Sequence, residues 1–407
     1  MATKNGLPFA LLEATQLTRA GRLLEATAVI QRILRQQSIS EGAVNDHASD
    51  RDGAAAGRVI DAVFSRVEEP SQSNDANGVL QRVDDKRLLR MRGRSGSSVA
   101  GVPRPETKVL EGQPGDFITG SYTNQAGTRP YKLYIPTGYV GKALPMIVML
   151  HGCTQTPDDF AAGTRMNAIA EERECFVLYP AQTHAANRSR CWNWFKRGDQ
   201  RRDKGEPAII AGMTREVLNR YGIDARKVYV AGLSAGGAMA AVMGATYPDL
   251  YAAIGIHSGL AVGSAHDVPS AFAVMRGKAP SSPRGAVSGQ TSCAVPVIVF
   301  HGDRDATVHP RNSEQVILES VDRNAASSNN LSVEHGQVPG GHAYTRTVHS
   351  DPTGRIILEH WLVHGGGHAW SGGSTRGSYT DPKGPDATRA MIRFFYQSER
   401  VALSNAG

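Results

Sequence analysis

Apolar positions in this chain follow one period near the start, lose it, and take up another. Residues 8–35, PFALLEATQLTRAGRLLEATAVIQRILR, repeat apolar side chains at steps of three and four, with Leu11, Leu12, Leu23, Leu24, Ile30 and Leu34 on one face. That period predicts an amphipathic helix or a helical pair. From about 36 to 107 the chain is dominated by Ser, Asn, Asp, Gly and Arg with few aromatics. Such a stretch buries too little apolar surface to offset the entropy of ordering, and it reads as a flexible linker.

After Lys108 the period shortens to two. FITGSYTN and RPYKLYIP form an alternating antiparallel pair. PMIVMLHG (145–152), FVLYPAQ (176–182), KVYVAGLS (227–234), YAAIGIHSG (251–259) and VPVIVFHGD (295–303) are almost continuously apolar, as strands covered on both faces must be. Helical stretches separate them, among them DFAAGTRMNAIAEER, PAIIAGMTREVLNRYG and GGAMAAVMGATYP, and DATRAMIRFFYQS closes the series. Strand and helix in alternation predict an α/β fold with a mostly parallel, doubly wound sheet. The expected organisation is a helical segment over 1–35, a linker over 36–107 and a catalytic domain over 108–400.

Composition narrows the function classes. A chain of 407 residues with 40% hydrophobic content can bury one large core and still carry an appendage. The net charge of +7 comes from 45 basic and 38 acidic residues that are interspersed, so no nucleic-acid groove is expected. Arg82, Lys86, Arg87, Arg90, Arg92 and Arg94 cluster in the linker and read as a solvated run. The chain as written shows no run of 18 apolar residues and no signal-peptide pattern, so it reads as soluble and not exported by that route. Four cysteines, Cys153, Cys175, Cys191 and Cys293, are too few for a disulfide framework and lack the paired spacing of zinc sites. Neither a metal nor a cofactor is expected.

The chemistry centres on Gly232-Leu233-Ser234-Ala235-Gly236-Gly237. This is G-x-S-x-G between a strand and a helix, the context in which the motif makes a nucleophile elbow of the α/β-hydrolase fold. A serine there sits on a strained turn, and small neighbours are needed where backbone meets backbone. Its hydroxyl needs a base, and the base needs a carboxylate to hold one tautomer. Acid then histidine should follow in chain order. The turn His301-Gly302-Asp303-Arg304-Asp305 ends a buried strand, where catalytic groups gather in open α/β sheets. Asp305 is the candidate acid, with Asp303 as competitor. In RIILEHWLVHGGGHAWSGG, His364 ends a strand and His368 lies on a glycine loop beyond it, which favours His368 as base. His342, His349 and His360 read as exposed polar residues of an inserted hairpin. The backbone N–H groups of Cys153 and Ala235 are the expected oxyanion donors. A bridge between Cys153 and Cys191 is left open. Trp192, Trp194 and Trp370 are candidates to line a substrate groove.

From about 115 to 398 the blocks LHGCTQTPDDF, CWNWF, GEPAII, YVAGLSAGGAMA, HGDRDATVHP and GGGHAWSGG together resemble the polyhydroxybutyrate depolymerase family of esterases. The resemblance implies hydrolysis of short-chain 3-hydroxyalkanoate esters, with Ser234, Asp305 and His368 on the catalytic positions and a polyester or small ester as partner. The family is typically extracellular, whereas this chain reads as opening with a helix and linker in place of a signal peptide, and no obvious counterpart of the family's separate polymer-binding domain is expected in it. Related members cleave feruloyl or acetyl groups from plant polysaccharides, an alternative that the sequence does not decide. A reading of another class is a surface-binding protein that docks on a granule or membrane through residues 8–35.

Overall fold

The computed structural model describes residues 114–278, 295–323 and 330–398. The helix expected over 8–35, the linker and its basic cluster lie outside the described residues.

Two antiparallel strands open the fold, β1 (Asp116–Asn124) and β2 (Gly127–Ile135), paired from Asp116 against Ile135 to Asn124 against Gly127. The buried strands follow as β3 (Met146–Leu150), β4 (Phe176–Pro180), β5 (Val228–Leu233), β6 (Ala253–His257) and β7 (Val297–Gly302). Three further strands are β8 (Asn330–Gln337), β9 (Ala343–Ser350) and β10 (Ile356–Val363). All ten join one sheet in the order β1-β2-β4-β3-β5-β6-β7-β10-β9-β8. β4, β3, β5, β6, β7 and β10 run parallel. The short strands β11 (Trp370–Ser371) and β12 (Thr380–Asp381) pair separately. The doubly wound α/β fold expected from the sequence is present.

Alternation along a strand divides its side chains between two layers. In β3, Val148 and Leu150 join the core that takes in α3 (Gly205–Tyr221) and α4 (Ala235–Thr246). Ile147 and Met149 face the opposite core, which takes in α1 (Pro157–Thr164), α2 (Met166–Arg173) and α7 (Ala387–Tyr396). Two more helices, α5 (Val268–Met275) and α6 (Arg311–Arg323), flank β7 in sequence.

The single helix expected over 159–173 is two. Arg165 takes a left-handed φ of 56° between α1 and α2. Its guanidinium donates to Gly372 O and Asp386 Oδ2, both at 2.9 Å, so a distant contact sets the break. His360 departs from expectation in its exposure: it lies on β10, which forms an antiparallel hairpin with β9, but it is half-buried and burial pulls its pKa down to about 4. Among the described residues no helix is long and apolar enough to cross a membrane.

Candidate active site

The chain passes from β3 to β4 on one side, then returns to lay β5 on the other side of β3. Ligands bind outside the carboxyl ends of strands at such a reversal. Ser234 is placed there, directly after β5, with φ 58° and ψ −118°. A non-glycine residue in that conformation stores on the order of 1–3 kcal/mol, which the surroundings must hold. They do so by close approach. A Cβ on Gly236 would sit 2.0 Å from Leu150 O, and one on Gly232 would sit 2.4 Å from the Gly236 backbone. Ser234 N–H donates to His257 O at 2.8 Å, tying the elbow to β6. The serine is 9% exposed.

Asp305 follows β7, and His368 follows β10, which pairs with β7 as far as Val363 against Gly302. A Cβ on Gly302 would fall 2.2 Å from Gly366 O, so glycine at 302 lets the histidine loop descend onto the end of β7. His368 Nδ1 then donates to Asp305 Oδ2 at 2.7 Å. Asp305 Oδ1 accepts from Thr307 N at 2.9 Å and Val308 N at 2.8 Å. Burial alone would raise the Asp305 pKa, but His301, His368 and the Val308 N–H together hold it well below the usual carboxylate range. The carboxylate is therefore ionised, and it fixes the His368 proton on Nδ1 and leaves Nε2 unprotonated. The loop returns over β6, where Ser371 N–H donates to His257 Nε2 at 2.9 Å.

His257 was not singled out by sequence. It stacks on Trp370 at 5.1 Å and on Phe300 at 5.7 Å between centroids. Burial first, with His301 and His368 nearby, lowers its pKa to about 3, so it is neutral. One residue contributes its carbonyl to the elbow and its ring to the loop that carries His368.

His364 and Asp303, the competitors for base and acid, bind each other instead. His364 Nδ1 lies 3.0 Å from Asp303 Oδ2, and Asp303 Oδ1 accepts Gly365 N–H at 2.7 Å. Thr345 Oγ1 lies 2.9 Å from His364 Nε2. Across the same loop His342 Nε2 meets Asp381 Oδ2 at 2.9 Å.

Ala235, an expected oxyanion donor, directly follows Ser234 in the elbow, and Cys153, the other, lies on the loop after β3, the strand next to β5. Among the described residues neither backbone N–H has a protein acceptor. Ala235 is the first residue of α4, where the helix dipole favours developing negative charge. The Cys153 loop is clamped from several sides. Gln182 N–H donates to His151 Nε2 at 3.1 Å, so the ring proton is on Nδ1 and goes to Gly152 O at 2.8 Å. Burial lowers the His151 pKa to about 4, which keeps that tautomer. Because C=O and N–H point opposite ways across a trans peptide, holding Gly152 O fixes the direction of the Cys153 N–H. Gln155 Oε1 accepts Gly152 N–H at 2.9 Å, and Cys153 is disulfide-bonded to Cys191. The Cys191 loop is in turn held by Glu206, which accepts from Asn193 N and Nδ2 at 2.7 Å.

The tryptophans correct the sequence reading. Trp192 is 0% and Trp370 1% exposed, and Trp194 is 6% exposed. Trp192 lies against the His151 ring and Trp194 edge-on to Phe195. Trp370 donates from Nε1 to Thr388 Oγ1 at 3.0 Å and meets Phe160 edge-on. The loop of Trp192 and Trp194 is pinned by a disulfide and a buried glutamate with its apolar faces turned inward, and Trp370 packs into the opposite core layer, so these rings belong to the core instead of lining a groove. Among the described residues no cluster of His, Cys, Asp and Glu could hold a metal ion.

The fold and the elbow define an α/β-hydrolase, and the comparisons relate it to carboxylic ester hydrolases. Residues 129–328 match the family model described as Esterase PHB depolymerase. Poly(3-hydroxyalkanoate) depolymerase C of Paucimonas lemoignei is 31% identical over 253 residues, 60% of this chain and 59% of that protein. Acetylxylan esterase A of Talaromyces purpureogenus is 28% identical over 208 residues, 48% of this chain and 53% of that protein. Feruloyl esterase B of Neurospora crassa is 28% identical over 257 residues, 58% of this chain and 82% of that protein. The chain thus spans little more than half the length of the depolymerase and the xylan esterase it matches. In structure it is similar to the acetyl xylan esterase of Aspergillus awamori, with a TM-score of 0.55 at 20% identity over 69% of this chain and 100% of that one. That likeness concerns the fold alone.

Proposed function

We propose that the chain is a serine esterase acting through an acyl-enzyme, with Ser234 as nucleophile, His368 as general base and Asp305 as the residue that orients the histidine. The observation that carries this reading is the short bond from His368 Nδ1 to a fully buried, multiply hydrogen-bonded Asp305, with the histidine on a loop tied through His257 to the strained elbow of Ser234. In this scheme Ser234 Oγ attacks the ester carbonyl as His368 Nε2 takes its proton. The Cys153 and Ala235 N–H groups receive the oxyanion, and the protonated histidine releases the alcohol. Water then attacks the acyl carbon as it gives a proton to His368, and the histidine passes that proton to Ser234 Oγ as the acyl–oxygen bond breaks and the acid leaves. Ser234→Ala is expected to lower kcat on p-nitrophenyl butyrate by at least about 10³-fold, and equal turnover by variant and wild type would sink the reading.

The preferred substrates on this reading are short-chain 3-hydroxyalkanoate esters, supported by the depolymerase among the relatives. A second reading, a feruloyl or acetyl esterase of plant polysaccharide, is supported by relatives with those names. Relative kcat/KM on 3-hydroxybutyrate oligomers, methyl ferulate and acetylated xylan separates them.

A further inference from the structure

With the three tryptophans buried, the large aromatic that faces solvent beside the site is Tyr379, 47% exposed. Its place is set from both sides of the reacting centre. Its carbonyl accepts the Trp370 N–H at 2.7 Å, two residues beyond His368. Its phenol oxygen lies 3.3 Å from Thr154 Oγ1, one residue beyond Cys153. Thr154 gives its own hydroxyl proton to Cys153 O at 2.6 Å, so Tyr379 is the donor of the bond between them. Tyr379 has φ 52° and Thr154 φ 67°. Side chains other than Asn, Asp and Gly rarely enter that region, and strained residues of this kind cluster where a ligand is clamped. Tyr379 therefore links the histidine loop to the oxyanion loop, pinned at its backbone and at its hydroxyl while nearly half of its surface stays in solvent.

We infer that Tyr379 is a specificity-determining residue: its ring is the platform that receives the alkyl or aryl group carried on the scissile carbonyl. This rests on the ester-hydrolase reading of Ser234 and names the substrate contact at that site. An acetyl group is too short to cover an aromatic face, whereas a longer acyl chain or an aryl group packs on it and gains dispersion and ring contact. The ring is held before substrate arrives, so little ordering entropy is lost on binding.

The test uses the full chain, with steady-state kinetics on p-nitrophenyl acetate, p-nitrophenyl octanoate and methyl ferulate. Tyr379→Asn removes the ring and suits the left-handed backbone, and Tyr379→Phe keeps the ring without the hydroxyl. Tyr379→Asn should raise KM for the octanoate and the ferulate about five- to tenfold more than it raises KM for the acetate, whatever common change in kcat follows from loss of the bond to Thr154. Tyr379→Phe keeps the ring but loses the bond to Thr154, so the preference for the octanoate and the ferulate over the acetate should stay within about threefold of wild type. Equal losses on every ester, an unchanged KM profile, or a Phe variant that behaves like the Asn variant would each overturn the inference. Should Tyr379→Asn lose its melting transition, Tyr379→Gly replaces it with the same expected pattern. A wild-type chain that turns over none of the three esters removes the hydrolase reading and the platform with it, an outcome distinct from an active enzyme with an unmoved profile.

Discussion

Two aspartate–histidine pairs stand side by side at the carboxyl edge of this sheet, built from the same residue types and almost the same stretch of chain. Asp305 and His368 meet at 2.7 Å with the carboxylate side chain wholly buried. Asp303 and His364 meet at 3.0 Å with both side chains more than a third exposed. The bond lengths differ little, so what separates the pairs is solvent. Around Asp305 two backbone N–H groups and two histidines replace water, so the carboxylate stays charged and the imidazole has one tautomer. Around Asp303 the carboxylate also takes the Gly365 N–H, which anchors the glycine loop, while water screens the charge. The outer pair holds a loop in place, and the inner pair fixes an imidazole in the tautomer that the proposed base needs.

The comparison breaks most sharply at its two acids. Asp305→Asn should cut kcat by about 10³–10⁴-fold, as loss of the orienting carboxylate does in a triad. Asp303→Asn should change it by less than about tenfold, because a neutral amide oxygen can still accept the Gly365 N–H. Matched kcat values for the two variants would mean that the inner pair is not the catalytic one.

A smaller effect is expected where the two loops touch. Gly302→Ala places a methyl against Gly366 O, and the histidine loop must lift to make room. We expect a loss of about 1–3 kcal/mol of stability and a fall in kcat with KM little altered, measured by urea melts and steady-state kinetics. An unchanged kcat would show that the seating of this loop does not govern the base.

The smallest effect concerns acid stability. His257, under the inner pair, has its pKa depressed to about 3, below the unfolded value near 6.5. Between those limits the unfolded chain binds a proton that the native chain refuses, so stability falls as pH drops from about 6.5. Asp305 acts in the same direction lower down: its folded pKa is depressed, so its contribution is present above the unfolded value near 3.9 and fades as pH falls further. Replacing His257 by Asn should flatten the decline between about pH 6 and 4, whatever its cost at neutral pH. A slope in that window equal to that of wild type would refute the assignment of a neutral His257.

Much of this arrangement was legible along the chain. Continuous apolar runs such as MIVML and VIVFHG can only be strands covered on both faces, and the serine elbow carries its own small neighbours at fixed offsets. The histidine loop announces itself by Gly365-Gly366-Gly367. Less legible were residues whose part depends on partners far off in sequence. Arg165 breaks a helix because Gly372 and Asp386 lie beside it. Trp192, Trp194 and Trp370 looked like a rim because large aromatics in loops often are, yet which way a ring turns depends on what packs over the loop. Tyr379, in the unpatterned run RGSYTDP, gave no periodic signal at all. His151 and His257 lie in buried strand ends and look like core residues, and only their ring partners reveal what they hold.

The alternation of strands and helices, the elbow and the triad's order of residue types follow from the chain alone, because they rest on periods and offsets along the sequence, whereas the order of strands in the sheet was decided by the fold. The tertiary structure decided which aspartate and histidine share a buried pocket, which aromatic faces water and which peptide a neutral histidine turns. Those outcomes depend on solvent exclusion, and water is excluded only when segments more than sixty residues apart, such as Asp305 and His368, close over one another.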